Sequence, residues 1–179
     1  MKTWITSDTH FGHSNIMNFC PETRGRFQDK DHMNREMIKI WNAVVGQEDL
    51  VYHLGDVSFL NVTETCDIVE NLNGRKILIT GNHDGKLLKK QRFRDCFEEI
   101  HDYLEITHKN KKVILFHYPI HMHWNSSHYG SVHFYGHVHG NQTGLEEYRA
   151  RDVGFDATGN VVTLLDSIFS EAVEGKIAV

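Results

Sequence analysis

The chain has 179 residues (20.8 kDa), 40% hydrophobic and 24% charged, ordinary proportions for a folded protein and enough for one domain that buries roughly 70% of its unfolded surface. A formal net charge of -5 and a pI near 6.2 weigh against a nucleic-acid coat, so stable nucleic-acid binding is not expected, while attack on phosphates through bound cations stays open. Three dispersed cysteines (Cys20, Cys66, Cys96) make neither a disulfide framework nor a zinc ribbon, and no secretory signal or apolar run of about 18 residues is present; the expectation is a single cytoplasmic domain over 1–179 with no membrane partner.

Thr3–Thr6 reads as a strand that delivers Asp8 and His10. Residues 11–28 read as a long loop leaving from them, with Gly12, His13, Asn15, Pro21, Arg24 and Arg26; loops of this length are often functional. Asp29–Val45 has helical spacing of Met33, Met37, Ile40, Trp41, Val44 and Val45, and Gly46 stops it. Leu50–Leu54 is a second strand, running into Gly55-Asp56. Val62–Leu72 reads as another amphipathic helix, with Cys66 a small core hydrophobe on its apolar stripe. Ile77-Leu78-Ile79 has the continuous apolar character of a strand covered on both faces, and it breaks at Gly81 into Asn82-His83-Asp84.

The basic segment Lys86–Arg94 reads as a helix with a solvated charged face. Glu99–His108 and Lys112–His117 flank residues 109–111 as a β-hairpin. Residues 121–130 form a second unusual loop, with His123 and Trp124. Val132–Tyr135 is a strand running into Gly136-His137-Val138-His139. Tyr148–Asp156 and Asn160–Leu165 read as a further strand pair, and Ser167–Glu174 as a closing helix. Strand–helix alternation followed by a mostly stranded half implies an α/β fold: two packed sheets with helices outside.

Five of these strand-like runs stop at Asp, Asn or His. In open α/β sheets, sites form just beyond the carboxyl ends of strands. The candidates are therefore Asp8, His10, Asp56, Asn82, His83, His117, His137 and His139. Asp and Asn offer hard oxygens and His offers imidazole nitrogen, without a thiolate. That mix suits Mn, Fe or Zn and does not choose among them. The donors are too many for one four-coordinate ion, whereas two ions sharing a carboxylate would use them all. Metal pairs about 3.5–4 Å apart are a recurrent device for phosphoryl transfer. In Asp8-Thr9-His10 and His137-Val138-His139, residues i and i+2 of an extended chain would face one side. Gly81 and Gly136 are expected to let the backbone turn sharply at the strand ends.

In this order the motifs resemble those of the calcineurin-like metallophosphoesterases, over nearly the whole chain and most closely the small single-domain members of bacteria and phages. The resemblance implies a two-sheet β-sandwich flanked by helices. It implies that Asp8, His10 and His139 hold one metal, that Asn82, His117 and His137 hold a second, and that Asp56 bridges them. It also implies that His83 is a general acid facing the substrate and that Asp84 orients it. Some residues depart from better-known branches. Val57-Ser58-Phe59 lacks the Arg that phosphoprotein phosphatases carry after Gly-Asp, and Asp84 stands where they have Glu. Phe59 occupies the place of the Tyr ligand of purple acid phosphatases.

The implied activity is phosphoester hydrolysis by a metal-activated hydroxide, as a phosphodiesterase on a small or nucleotide-like substrate. A phosphomonoesterase is the alternative, and a catalytically inactive metal-binding scaffold the less favoured one. The implied cofactors are two divalent ions, Mn first, with Fe, Zn, Ni or Co as the other choices. His13, His123 and Trp124 are candidate substrate contacts. Trp124, Tyr118 and Tyr129 could stack on a base.

Overall fold

The computed structural model describes residues 1–122, 126–145 and 148–174. In chain order its elements are β1 (Thr3–Thr6), α1 (Ile16–Phe19), α2 (Pro21–Arg24), α3 (Lys30–Val44), β2 (Leu50–His53), α4 (Val62–Asn71) and β3 (Arg75–Ile79). A 3-10 turn at Asp84–Lys86 then leads to α5 (Gln91–Asp95), β4 (Glu99–His101), β5 (Tyr103–His108), β6 (Lys111–Phe116), α6 (Ser126–Tyr129) and β7 (Val132–Tyr135). The chain continues through β8 (Ala150–Asp152), α7 (Phe155–Thr158), β9 (Thr163–Leu164) and α8 (Leu165–Glu174). Among the described residues, no helix is long and apolar enough to cross a membrane.

One sheet has the order β4-β3-β2-β1-β9 and the other β5-β6-β7-β8. β1 to β4 are parallel to their neighbours and β9 is antiparallel to β1. In the second sheet β5 is antiparallel to β6, while β6, β7 and β8 are parallel. The register places Thr6 beside His53 and His53 beside Leu78, so β1, β2 and β3 end along one edge. The two sheets meet at their carboxyl ends, where Ser7 bridges Gly154 and the Phe155 N–H donates to Ser7 O at 3.3 Å.

Successive side chains of a strand face opposite sides, and both sides of the first sheet are covered. Ile5, Tyr52, Ile77 and Ile79 pack inward on Val113, Leu115, Val132 and Phe134 of the second sheet. Trp4 and Val51 pack outward on Met33, Met37 and Trp41 of α3. Leu78 packs on Cys66 and Val69 of α4 and on Phe93 of α5. Each fully buried aliphatic or aromatic side chain of this kind contributes about 1.5–3 kcal/mol. The two-sheet sandwich read from the sequence is the observed fold.

Several local readings are corrected. Residues 11–28 contain α1 and α2 rather than loop alone. The buried stripe of α3 is Met33, Asn34, Met37 and Trp41, whereas Ile40 and Val44 are exposed. Within Lys86–Arg94 the helix is confined to α5. Glu99–His108 is two strands in different sheets, with Asp102 between them. β8 and β9 likewise belong to different sheets and do not pair, because Phe155–Thr158 folds as a helix between them. The hairpin turn is two residues, Lys109 and Asn110, both at positive φ (46° and 62°), the backbone that matches strand twist.

Candidate metal centre

The backbone of the strand ends is unusual before any side chain is considered. Among the described residues, seven non-glycine residues have positive φ, and five of them are Asp8 (54°), His10 (48°), Asp56 (57°), His137 (71°) and His139 (51°). L-residues adopt this region at a cost, and such strain collects at functional sites. Asp8 and His10 therefore converge through two left-handed residues, not through the extended i, i+2 geometry expected from the sequence. The glycines also act differently than expected. Neither Gly81 nor Gly136 turns the chain through positive φ. A Cβ on Gly136 would stand 2.0 Å from Ser7 Oγ and 2.2 Å from Asp8 Oδ2, and one on Gly81 2.3 Å from Asp56 Oδ1. Both glycines permit close approach.

Two groups of ligating atoms form at this edge: Asp8, His10 and His139, and Asp56, His117 and His137, each with its atoms within 4.8 Å of one another. Asn82 joins the second group, its Oδ1 lying 3.0 Å from His117 Nε2 and 2.9 Å from His137 Nδ1. Asp56 Oδ2 sits between the groups, 3.6 Å from His117 Nε2 and 3.8 Å from both His10 Nε2 and His83 Nε2. His83 is exposed, its ring 4.6 Å from that of Phe59, and its backbone N–H donates to Asp56 Oδ1 at 2.8 Å.

The donor set fits a cation. The Nδ1–H of His117 donates to Leu54 O at 2.6 Å, so Nε2 of the neutral ring is a lone pair. It faces Asn82 Oδ1 and Asp56 Oδ2, which are also electron-pair donors. The Nδ1–H of His139 donates to Asp156 Oδ2 at 2.7 Å, turning Nε2 toward Asp8 Oδ1 at 3.9 Å. Asp8 Oδ1 and both nitrogens of His10 are buried with no hydrogen-bond partner. Buried polar atoms are rarely left so; a divalent ion would satisfy Asp8 Oδ1 and one ring nitrogen, Nε2 being the one 3.5 Å from Asp8 Oδ1. A second hydrogen-bonded nitrogen that fixes the ring is the usual arrangement of a metal-ligating His.

Electrostatics follow the same geometry. Burial alone would raise the Asp8 carboxyl, but His10, His117 and Ser7 outweigh it and hold it at about 2. His10 is lowered by burial. Burial also pulls His139 down, yet Asp156 and then Asp8 reverse this and the net shift is upward. Asp84 is raised, chiefly by burial. A third cluster, Cys20, His139 and Asp156, competes poorly: burial, then Asp156, pushes the Cys20 thiol up to about 11, and both Asp156 oxygens are already engaged.

Asp8, His10, Asp56, Asn82, His117, His137 and His139 lie together, with His83 beside them. Asp84 bonds backbone N–H groups rather than the His83 ring. Its Oδ2 accepts the N–H groups of Asp56 (2.9 Å) and Gly81 (2.8 Å), and Oδ1 accepts that of Val57 (2.9 Å). His13 lies at the rim, its Nδ1 accepting the Ile16 N–H and its ring 4.2 Å from Phe59. His123 and Trp124 fall outside the described residues. Sequence reasoning missed the roles of Arg24 and Asp156. Arg24 is fully buried and pairs with Asp156 through Nε–Oδ1 and Nη2–Oδ2, both 2.8 Å.

A profile described as the calcineurin-like phosphoesterase superfamily domain matches residues 1–153. The chain belongs to that superfamily, and so to a class of phosphoester hydrolases whose members generally bind divalent metals. It is 41% identical over 85 residues to an uncharacterized protein of Methanocaldococcus jannaschii, covering 46% of this chain and 47% of that one, so the chain spans about half the length of that relative. It is 29% identical over 192 residues to the Gene 66 protein of Mycobacterium phage L5, covering 90% of each. A solved structure from Aquifex aeolicus, described as a protein of unknown function, superposes with a TM-score of 0.72 at 29% identity, covering 93% of this chain and 97% of that one.

Proposed function

We propose that this chain is a dinuclear metal-dependent phosphoesterase that acts as a phosphodiesterase on a small or nucleotide-like substrate. The observation that carries this reading is the position of Asp56 Oδ2, within 3.6–3.8 Å of nitrogens of His10, His117 and His83 and between two sets of ligating atoms. In this reading Asp8, His10 and His139 hold one ion, Asn82, His117 and His137 hold the other, and Asp56 is shared. Divalent ions bound there supply Lewis acidity, activating water and polarising the phosphoryl oxygens. Mn is the first choice for the oxygen and nitrogen donors, with Fe, Zn, Ni or Co as alternatives.

His83 is exposed beside Asp56 and donates its ring proton to the leaving oxygen of the ester. Asp84 positions it indirectly, by fixing the Asp56 backbone whose side chain in turn accepts the His83 N–H. The diester preference rests on charge. A dianionic monoester calls for a guanidinium, and Arg24 is buried with its donors engaged. Exposed Phe59 and Tyr118 flank the two sides of the site and offer faces to a base, with His13 at the same rim. Three free thiols are in keeping with a reducing cytoplasm.

The test is hydrolysis of mono-nitrophenyl and bis-nitrophenyl phosphate by metal-stripped protein reloaded with Mn, Fe, Zn, Ni or Co in turn. The reading expects metal-dependent turnover that is faster on the diester. Faster turnover of the monoester would make the chain a phosphomonoesterase, and none with any ion would make it an inactive scaffold.

A further inference from the structure

The two groups of ligands are joined, since the Asp8 and His10 N–H groups donate to Gly55 O (3.0 Å) and Asp56 O (3.1 Å) and the His137 N–H to Asp8 Oδ2 (2.9 Å), but each also has a support of its own. The Asp56 loop is pinned by Asp84, and His117 is set by Leu54 O. The group of Asp8, His10 and His139 has in addition one guanidinium that touches all three of its segments, directly or through Asp156. Arg24 Nη2 donates to Asp8 O at 2.6 Å and Nη1 to Thr9 O at 2.8 Å, across a stretch where Asp8 and His10 hold positive φ. The same guanidinium grips Asp156 with two bonds, and Asp156 Oδ2 accepts the Nδ1–H of His139. Thr23 adds a hydroxyl donated to Asp156 Oδ1 at 2.6 Å. Arg24 is closed off from water, its charge 4.8 Å from the Phe155 ring.

A buried ion pair is weak evidence for stability, since well-packed apolar residues often replace one without loss. Such residues could not hold two carbonyls and an imidazole N–H at once. We infer that Arg24 and Asp156 are positioning residues for one metal position, setting the Asp8–His10 loop and the His139 ring so that the ion held by Asp8, His10 and His139 binds tightly, and that they leave the position of Asn82, His117 and His137 unaffected. The inference rests on the two-ion reading above. Arg, with its rigid fork of donors, meets this demand where Lys could not.

The test is calorimetric titration of metal-stripped protein with Mn²⁺ in a double-mutant cycle. Wild type should show two binding steps. Asp156→Asn should weaken one step about 10–100-fold, the range for partners that orient a metal-ligating His, and leave the other unchanged. In a His139→Ala background the loss on Asp156→Asn should shrink to the part exerted through Arg24 on the Asp8–His10 loop; in a His137→Ala background the full loss should remain. Thr23→Val removes only the hydroxyl, should weaken the same step by a smaller factor, and decides the matter if Asp156→Asn does not fold. A wild-type protein that takes up a single ion would overturn the two-ion reading. Two steps in wild type, both unchanged or both equally weakened in the folded variants, would overturn this inference alone.

Discussion

His83 Nε2 stands 3.8 Å from Asp56 Oδ2, with the His83 side chain 45% exposed and that of Asp56 3% exposed. One is open to a substrate and the other is sealed among the ligands. His83→Ala should therefore retain both ions and lose turnover by about 10²–10⁴-fold, the usual contribution of a positioned acid. The loss should fall on esters with alkyl or ribose leaving groups and be small on nitrophenyl esters, whose leaving group barely needs a proton. Metal content by elemental analysis and rates on the two ester classes check this. Equal losses on both, or loss of metal, would sink the general-acid role.

Gly136 lies where a methyl group cannot fit. The obstructing atoms are Ser7 Oγ at 2.0 Å and Asp8 Oδ2 at 2.2 Å from its ideal Cβ, and Asp8 Oδ2 is itself held by the His137 N–H at 2.9 Å. Gly136→Ala should cost about 1–3 kcal/mol, as overpacking does, and should displace Asp8 from its partner ligands. Denaturant unfolding and metal titration together would show it. A variant with wild-type stability and metal affinity would mean that the Ser7–Asp8 segment yields freely.

His53 should make the metal-free protein acid-sensitive. It is buried, with Nδ1 accepting the Gly55 N–H at 3.1 Å and Nε2 bonded to Thr9 Oγ1 at 2.9 Å. Burial lowers it to about 3, against an ordinary 6.5. Between those pH values the unfolded chain binds a proton that the folded chain refuses, so stability rises with pH across the window and is lost as pH falls through it. At about 1.4 kcal/mol per pKa unit, the full effect approaches roughly 5 kcal/mol. Asp8, held at about 2, adds a loss of the same sign at lower pH. Urea midpoints at pH 7 and 4.5 should differ markedly in wild type and less in His53→Gln; parallel curves would remove His53 as the cause.

The strand ends were legible because the physics that buries them also writes them. Ile77-Leu78-Ile79 is covered by the second sheet on one side and by α4 and α5 on the other, so it reads as an unbroken apolar run that stops where Asn82 and His83 begin. The convergence of Asp8 with His10 was foreseen for the wrong local reason, since left-handed φ at both residues is invisible to a period-2 argument. Arg24 and Asp156 could not be paired from sequence: 132 residues separate them, and an arginine in a polar segment ordinarily reads as solvated. The break at Asp102 carries no Gly or Pro, so Glu99–His108 gives no sign that its two halves serve different sheets.

In the proposed function two ions share Asp56. Anomalous diffraction from crystals of the protein reloaded with Zn²⁺ tests it most directly. Two peaks are expected about 3.5–4 Å apart, each about 2.0–2.2 Å from its ligands: one touching Asp8, His10 and His139, the other Asn82, His117 and His137, and both touching Asp56. A single peak, or a second peak held by Cys20 and Asp156 with Asp56 touching only one ion, would contradict it.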